Sequence, residues 1–103
     1  MQFLKPSSFI ADRAWGALAI AEIEGASVRL HWTDQPYVWH VNDGAEVFVV
    51  LEGTVTMQYR ADGAELSRLM QPGDICHAEP SDEHVAHPHG AARILVIEKK
   101  GSI

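Results

Sequence analysis

Apolar and polar residues alternate along most of this chain, and a breaker arrives every ten residues or so. In Thr54–Arg60, for example, Val55, Met57 and Tyr59 alternate with Thr54, Thr56, Gln58 and Arg60. A period of two sends successive side chains to opposite faces, so each such run reads as a strand with one face buried. Strands are predicted over 15–23, 27–33, 37–42, 46–51, 54–60, 66–70, 75–79, 84–87 and 92–99, about eight or nine in all. Glu24-Gly25-Ala26 closes a first hairpin, Asp43-Gly44 and Asp62-Gly63 are turns suited to positive φ, and Pro72-Gly73-Asp74 makes a further tight turn. A short α-helix over the first ten residues is the one exception expected. The fold class is therefore all-β. Short antiparallel strands at this spacing make a sandwich or barrel, and a jelly roll of two sheets removes exposed edges and leaves a cavity at one end.

With 103 residues, 47% of them apolar, the chain is expected to form one domain spanning 1–103, with a packed interior. So small a chain leaves much apolar surface uncovered, which predicts a homodimer that buries a patch around Trp15 and Trp39. A formal charge of −6 argues against nucleic acid and anionic membranes as partners. Cys76, the single cysteine, cannot form an internal disulfide and reads as a small buried residue. Ala14–Ala21 is apolar and ends in Ala19-Ile20-Ala21, but it is short for an export signal and reads better as strand. No apolar run reaches the roughly 18 residues needed to span a bilayer. A cytoplasmic protein is expected.

Chemistry concentrates in residues 36–53, PYVWHVNDGAEVFVVLEG. His40 and Asn42 lie two apart on one strand and so share a face. The Asp43-Gly44 turn is expected to fold the next strand back alongside, bringing Glu46 to the pair. Further on, His84 opens a strand just after the turn Pro80-Ser81-Asp82-Glu83 and is the next candidate ligand.

These residues resemble the two motifs of the cupin superfamily. The first is His-x-His, a Glu a few residues later and a Gly after six intervening residues; here it reads His40, Asn42, Glu46 and Gly53. The second runs from a Pro-Gly-Asp turn to a His, matched by Pro72-Gly73-Asp74 and His84. The resemblance implies a cupin-type double-stranded β-helix, a jelly-roll barrel, with a divalent transition metal (Fe, Mn, Ni or Zn) in its mouth. Two positions depart from the pattern. Ser81 stands where a Gly is usual, a turn detail. Asn42 replaces the second His, leaving His40, Glu46 and His84 as a two-imidazole, one-carboxylate set of the kind found in non-haem iron sites. Asn42 then adds a neutral amide oxygen, or orients His40 or a bound water, or marks a lapsed site in which the three form only a hydrogen-bonded cluster.

Two functions follow. One is a metal-dependent enzyme acting on a small polar molecule with dioxygenase-, isomerase- or decarboxylase-like chemistry. The other is a module that binds or senses a small ligand and catalyses nothing. His87 and His89 read as surface residues, His77 as a hydrogen-bonded wall residue and His31 as a sheet-surface residue. Trp15, Trp32, Trp39, Phe48 and Tyr59 read as packing, with Trp39 facing away from the cavity because it alternates with His40. Arg29, Arg60, Arg68 and Arg93 are candidates for an anionic substrate, and solvent-facing positions explain each equally well.

Overall fold

The computed structural model describes residues 1–100, so the expected span 1–103 ends in three residues outside those described. Among the described residues a 3-10 turn (Pro6–Ser8) precedes nine strands: β1 (Gly16–Ile23), β2 (Ala26–Thr33), β3 (His40–Val41), β4 (Glu46–Glu52), β5 (Val55–Ala61), β6 (Ala64–Met70), β7 (Ile75–Ala78), β8 (Glu83–Pro88) and β9 (Ala92–Lys99). They form two antiparallel sheets, A in the order β1-β2-β9-β4-β7 and B in the order β3-β8-β5-β6. Ala14–Ala21, weighed above as an export signal, falls largely within β1. No helix among these residues is long and apolar enough to cross a membrane.

Only two connections are tight hairpins. Glu24 and Gly25 (φ 49 and 80) join β1 to β2, and Asp62 and Gly63 (φ 52 and 77) join β5 to β6. Both turns need two consecutive residues at positive φ, which Gly supplies at no steric cost. Asp43-Gly44 is different. Neither residue adopts a positive φ, and β3 pairs with β8 in sheet B while β4 lies between β7 and β9 in sheet A. The segment is a crossing between sheets, not the hairpin expected. The third strand is also shorter than the predicted 37–42. Tyr37 N–H donates to Ala86 O while His40 pairs with His84, so three steps on one chain match two on the other. That extra residue interrupts the ladder and confines regular pairing to His40–Val41.

The core lies between the sheets. Val50 and Ile94 are fully buried, and Phe48, Val55, Met57, Met70, Ala86, Ala92 and Val96 complete the cluster. Each large member contributes about 1.5–3 kcal/mol relative to exposure. Cys76 packs against this cluster but is only half-buried; burial raises its thiol pKa.

Two further turns share one construction. Gln71-Pro72-Gly73-Asp74 and Glu79-Pro80-Ser81-Asp82 each place Pro second and a positive φ third, 95 at Gly73 and 78 at Ser81. In each, the Asp carboxylate accepts the backbone N–H of the first residue at 2.8 Å. Ser81 thus keeps the conformation that Gly has in the sister turn.

Candidate metal centre

Along the inward faces the sequence changes from apolar to polar toward one end of the sandwich. On β4 the order is Val50, Phe48, Glu46; on β9 it is Ile94, Val96, Glu98; on β8 it is Ala86, His84. The polar ends share one mouth because antiparallel registers bring them side by side: Glu46 opposite Glu98, and His40 opposite His84. Glu46 therefore reaches the histidines across the sandwich, from sheet A to sheet B. The ligating atoms of His40, Glu46 and His84 all lie within 4.8 Å of one another. Ligands about 2.1 Å from one ion stand at most about 4.2 Å apart, so a small rotation of half-exposed His40 is sufficient. Asn42, two residues on, is buried on the same side as His40, while Val41 between them is 58% exposed. The alternation expected for this segment holds.

Hydrogen bonds fix the imidazole tautomers. His40 Nδ1–H donates to Val38 O at 3.0 Å, because a carbonyl only accepts. Its Nε2 lone pair is left for a ligand, the arrangement usual in metal-bound histidine. His84 Nε2 lies 3.5 Å from Glu46 Oε1 and donates to Asn42 Oδ1 at 2.8 Å in the metal-free protein; to serve as a ligand this nitrogen would give up its proton, with Nδ1 taking the N–H. His84 Nδ1 and Asn42 Nδ2 are buried without partners. Burial, reinforced by His40, lowers the His84 pKa to about 4 and keeps the ring neutral, as a ligand must be. Burial and a hydrogen bond shared with Glu98 push the Glu46 carboxyl up to about 8. A buried carboxyl beside a second carboxyl and two imidazoles is an environment that a bound cation would relieve. The donor set and its geometry fit a divalent transition metal.

The three residues line a cavity of about 230 Å³, shared with Trp15, Arg29, His31, Tyr37 and Glu98. Two readings from sequence are corrected here. His31 is not on the sheet surface: it faces the cavity, and its Nδ1–H donates to Trp15 O at 3.1 Å. Trp15 belongs to no outward patch. It lies at the mouth with φ 62, and its indole N–H donates to Gln35 O at 2.9 Å. An edge-to-face series of rings, His31, Trp15, Tyr37, His40 and His84, runs round the opening with centroid separations of 4.3 to 6.0 Å.

Of the four arginines weighed above for an anionic substrate, Arg29 alone lines this cavity, ion-paired with buried Glu98. Arg93 bonds Glu52 and Phe9 O. Arg60 stacks 4.0 Å over Trp39 and pairs with Glu83 at 2.6 Å, so Trp39 faces away from the cavity but under a guanidinium. Arg60 and Arg68 line a wider trough of about 570 Å³ between β6 and β7, which meets the centre at His84. His77 points outward near Glu79, His87 bonds Gln58 and His89 bonds Thr56, all apart from the centre. Arg29, His31 and Glu98 are the site residues that motif reading missed; the polar positions of β2 and β9 were the available signal.

Neither a family model nor a curated protein sequence matches the chain. Solved structures do. A cupin-2 domain protein from Shewanella frigidimarina is 26% identical, with a TM-score of 0.77 over 87% of this chain and 85% of that one. A cupin superfamily protein from Desulfitobacterium hafniense is 16% identical, with a TM-score of 0.76 over 96% and 92%. A hydroquinone 1,2-dioxygenase in complex with Fe3+ is 18% identical, with a TM-score of 0.77 over 87% of this chain but 29% of its own. The two-sheet jelly roll, the motif residues gathered at its mouth and these likenesses together identify the chain as a member of the cupin superfamily.

Proposed function

We propose that this protein is a small cupin that holds one divalent transition metal on His40, Glu46 and His84 and acts on a small polar molecule bound beside it. The observation that carries this reading is the convergence of two imidazoles and a carboxylate from both sheets, with His40 already oriented by Val38 O. A bound ion would supply Lewis acidity and open coordination positions for dioxygenase-, isomerase- or decarboxylase-like chemistry. The chain itself contributes the rest. His40, Glu46 and His84 bind, Asn42 orients His84, and Phe48, Val96 and Ala86 give the cavity a dry floor. The test is calorimetric titration of metal-free protein with Mn2+, Ni2+ and Zn2+. One site per chain is expected, and wild-type binding no tighter than that of His84→Ala would overturn the reading.

A second reading rests on one observation: the Asn42 amide oxygen already accepts from His84 Nε2. If that bond outcompetes a metal, the site is a hydrogen-bonded cluster in a ligand-binding or sensing module. The same titration separates the two. The reading also treats residues 1–103 as one cytoplasmic cupin domain with a small-molecule partner and no role on nucleic acid or membranes.

We further propose a homodimer, with its interface relocated from the patch expected around Trp15 and Trp39. The outward side of sheet A carries an apolar row across all five strands, Leu18, Leu30, Leu95, Val49 and Ile75, in which Leu30 is itself covered at 2% exposure. Val28, Ile97 and Val47 form a second row beside it. Leu18 is 37% and Ile75 68% exposed. Five strands about 4.8 Å apart and roughly 20 Å long offer about 500 Å² per copy, about 1,000 Å² in a face-to-face pair, the lower range for a stable interface.

A further inference from the structure

The cavity has two walls, and the metal reading uses only one. Sheet B and the start of β4 supply the candidate ligands. The opposite wall is β2, where Arg29 and His31 lie two residues apart, about 6.7 Å along the strand, both facing inward. Each is held by the protein through one atom. Arg29 gives Nη2 to Glu98. His31 gives Nδ1–H to Trp15 O, so the lone pair of its neutral ring sits on Nε2, which has no protein partner among the described residues. Burial lowers the His31 pKa and favours this neutral form. The wall therefore presents a guanidinium with donors to spare beside an imidazole acceptor. Between them and the ring of His40, Trp15 and Tyr37 lie in edge-to-face contact with each other, 5.3 Å apart, and add an aromatic side to the cavity.

We propose that Arg29 and His31 form the recognition wall of this cavity and that its ligand is a small hydroxy acid, with the acid group on Arg29 and the hydroxyl donating to His31 Nε2. This rests on the cavity being the ligand site but not on metal occupancy. Charge favours an acid over a neutral ligand through the Arg29 guanidinium itself, which lines the cavity, and a divalent ion, where bound, would add to that preference. Size sets the scale at a single ring or a short chain, since 230 Å³ is below the usual range of about 300–1,000 Å³ for drug-sized ligands.

The probes are 3-hydroxybenzoate, benzoate, which lacks the hydroxyl, and 3-hydroxybenzamide, which lacks the charge. Each is titrated by calorimetry into metal-free and Mn2+-treated protein. The hydroxy acid is expected to bind at least tenfold more tightly than either analogue. His31→Asn keeps a donor for Trp15 O but removes the acceptor, and should erase the preference over benzoate. Arg29→Gln should erase the preference over the amide. Equal binding of the three probes, no binding, or preferences that survive both substitutions would overturn the proposal. Should a variant unfold, wild-type protein labelled with 15N histidine decides: His31 Nε2 shifts with 3-hydroxybenzoate and not with benzoate if the wall is as described, and stays put if it is not. Titration of the wild-type protein separates the two readings: failure to bind any of the metals would overturn the metal reading alone, whereas loss of probe discrimination in metal-free protein would overturn the wall alone.

Discussion

Replacing Gly53 by Ala tests how closely the two sheets are joined beneath the site. Gly53 leads from β4 into β5 with φ 79, and a Cβ there would lie 2.4 Å from Ala91 O and 3.0 Å from Ala92 Cα. Two costs combine. A non-Gly residue in the left-handed region costs about 1–2 kcal/mol. The contact with the start of β9 is against backbone, which cannot rotate away, and overpacking of that kind costs about 1–3 kcal/mol. The expected loss is about 2–5 kcal/mol. Gly63 is the internal control: its φ is 77, yet nothing lies within 4 Å of the added Cβ, so Gly63→Ala carries the conformational cost alone. Urea unfolding followed by circular dichroism gives both values, and Gly53→Ala should lose at least about 1 kcal/mol more, a further drop of roughly 4–8 °C in Tm for a domain of this size. Equal losses would refute the close approach of β9 to the β4–β5 link.

Asn42→His should complete a four-ligand set and raise Zn2+ or Ni2+ affinity on the order of tenfold or more by calorimetry, since imidazole is the stronger donor; an unchanged affinity would show that position 42 does not reach the ion. In the metal-free protein, Glu46 takes up its proton at about pH 8 when folded against 4.5 when unfolded, so stability should fall as pH rises through that window. His84 acts oppositely, with a folded pKa of about 4 against 6.5, and costs stability as pH falls through its own window. The two offset each other between 4.5 and 6.5. Urea midpoints should therefore be flat there and drop by on the order of 2 kcal/mol from pH 6.5 to 8, a drop that Glu46→Gln removes. Light scattering at micromolar concentration should return twice the chain mass of 11.3 kDa, and Leu18→Asp with Ile75→Lys should return the single mass.

Much of this arrangement is legible in the residues. Period two locates the strands, and Ala92–Lys99 is found to the residue. The spacing of His40, Asn42, Glu46 and His84 places all four together in the mouth. Alternation gives a period but no sign, however. On β2, Val28, Leu30 and Trp32 alternate with Arg29 and His31, and the usual rule sends the polar set to solvent. Here the polar set faces a polar cavity and the apolar set lies on the outward face. The same limit hid the sheet crossing at Asp43-Gly44, because an Asp-Gly pair that suits a hairpin also suits a bend. Local chemistry specifies how a turn is made, not which sheet receives the next strand.

The place of β9 has a consequence for synthesis. Among the nine strands described it is made last, yet it lies between β2 and β4 in sheet A. Until residues 92–99 emerge, those two strands have no common neighbour. A ribosome adding about 5–20 residues per second takes roughly 3–12 s to pass from the end of β2 to the start of β9. By the end of that interval the nascent chain carries eight strands and still no seam to join the β1–β2 hairpin to β4. A chain stopped just before Ala92 would keep every motif residue named above and still fail to assemble the cavity, so a stalled or clipped product belongs to quality control rather than to the active pool.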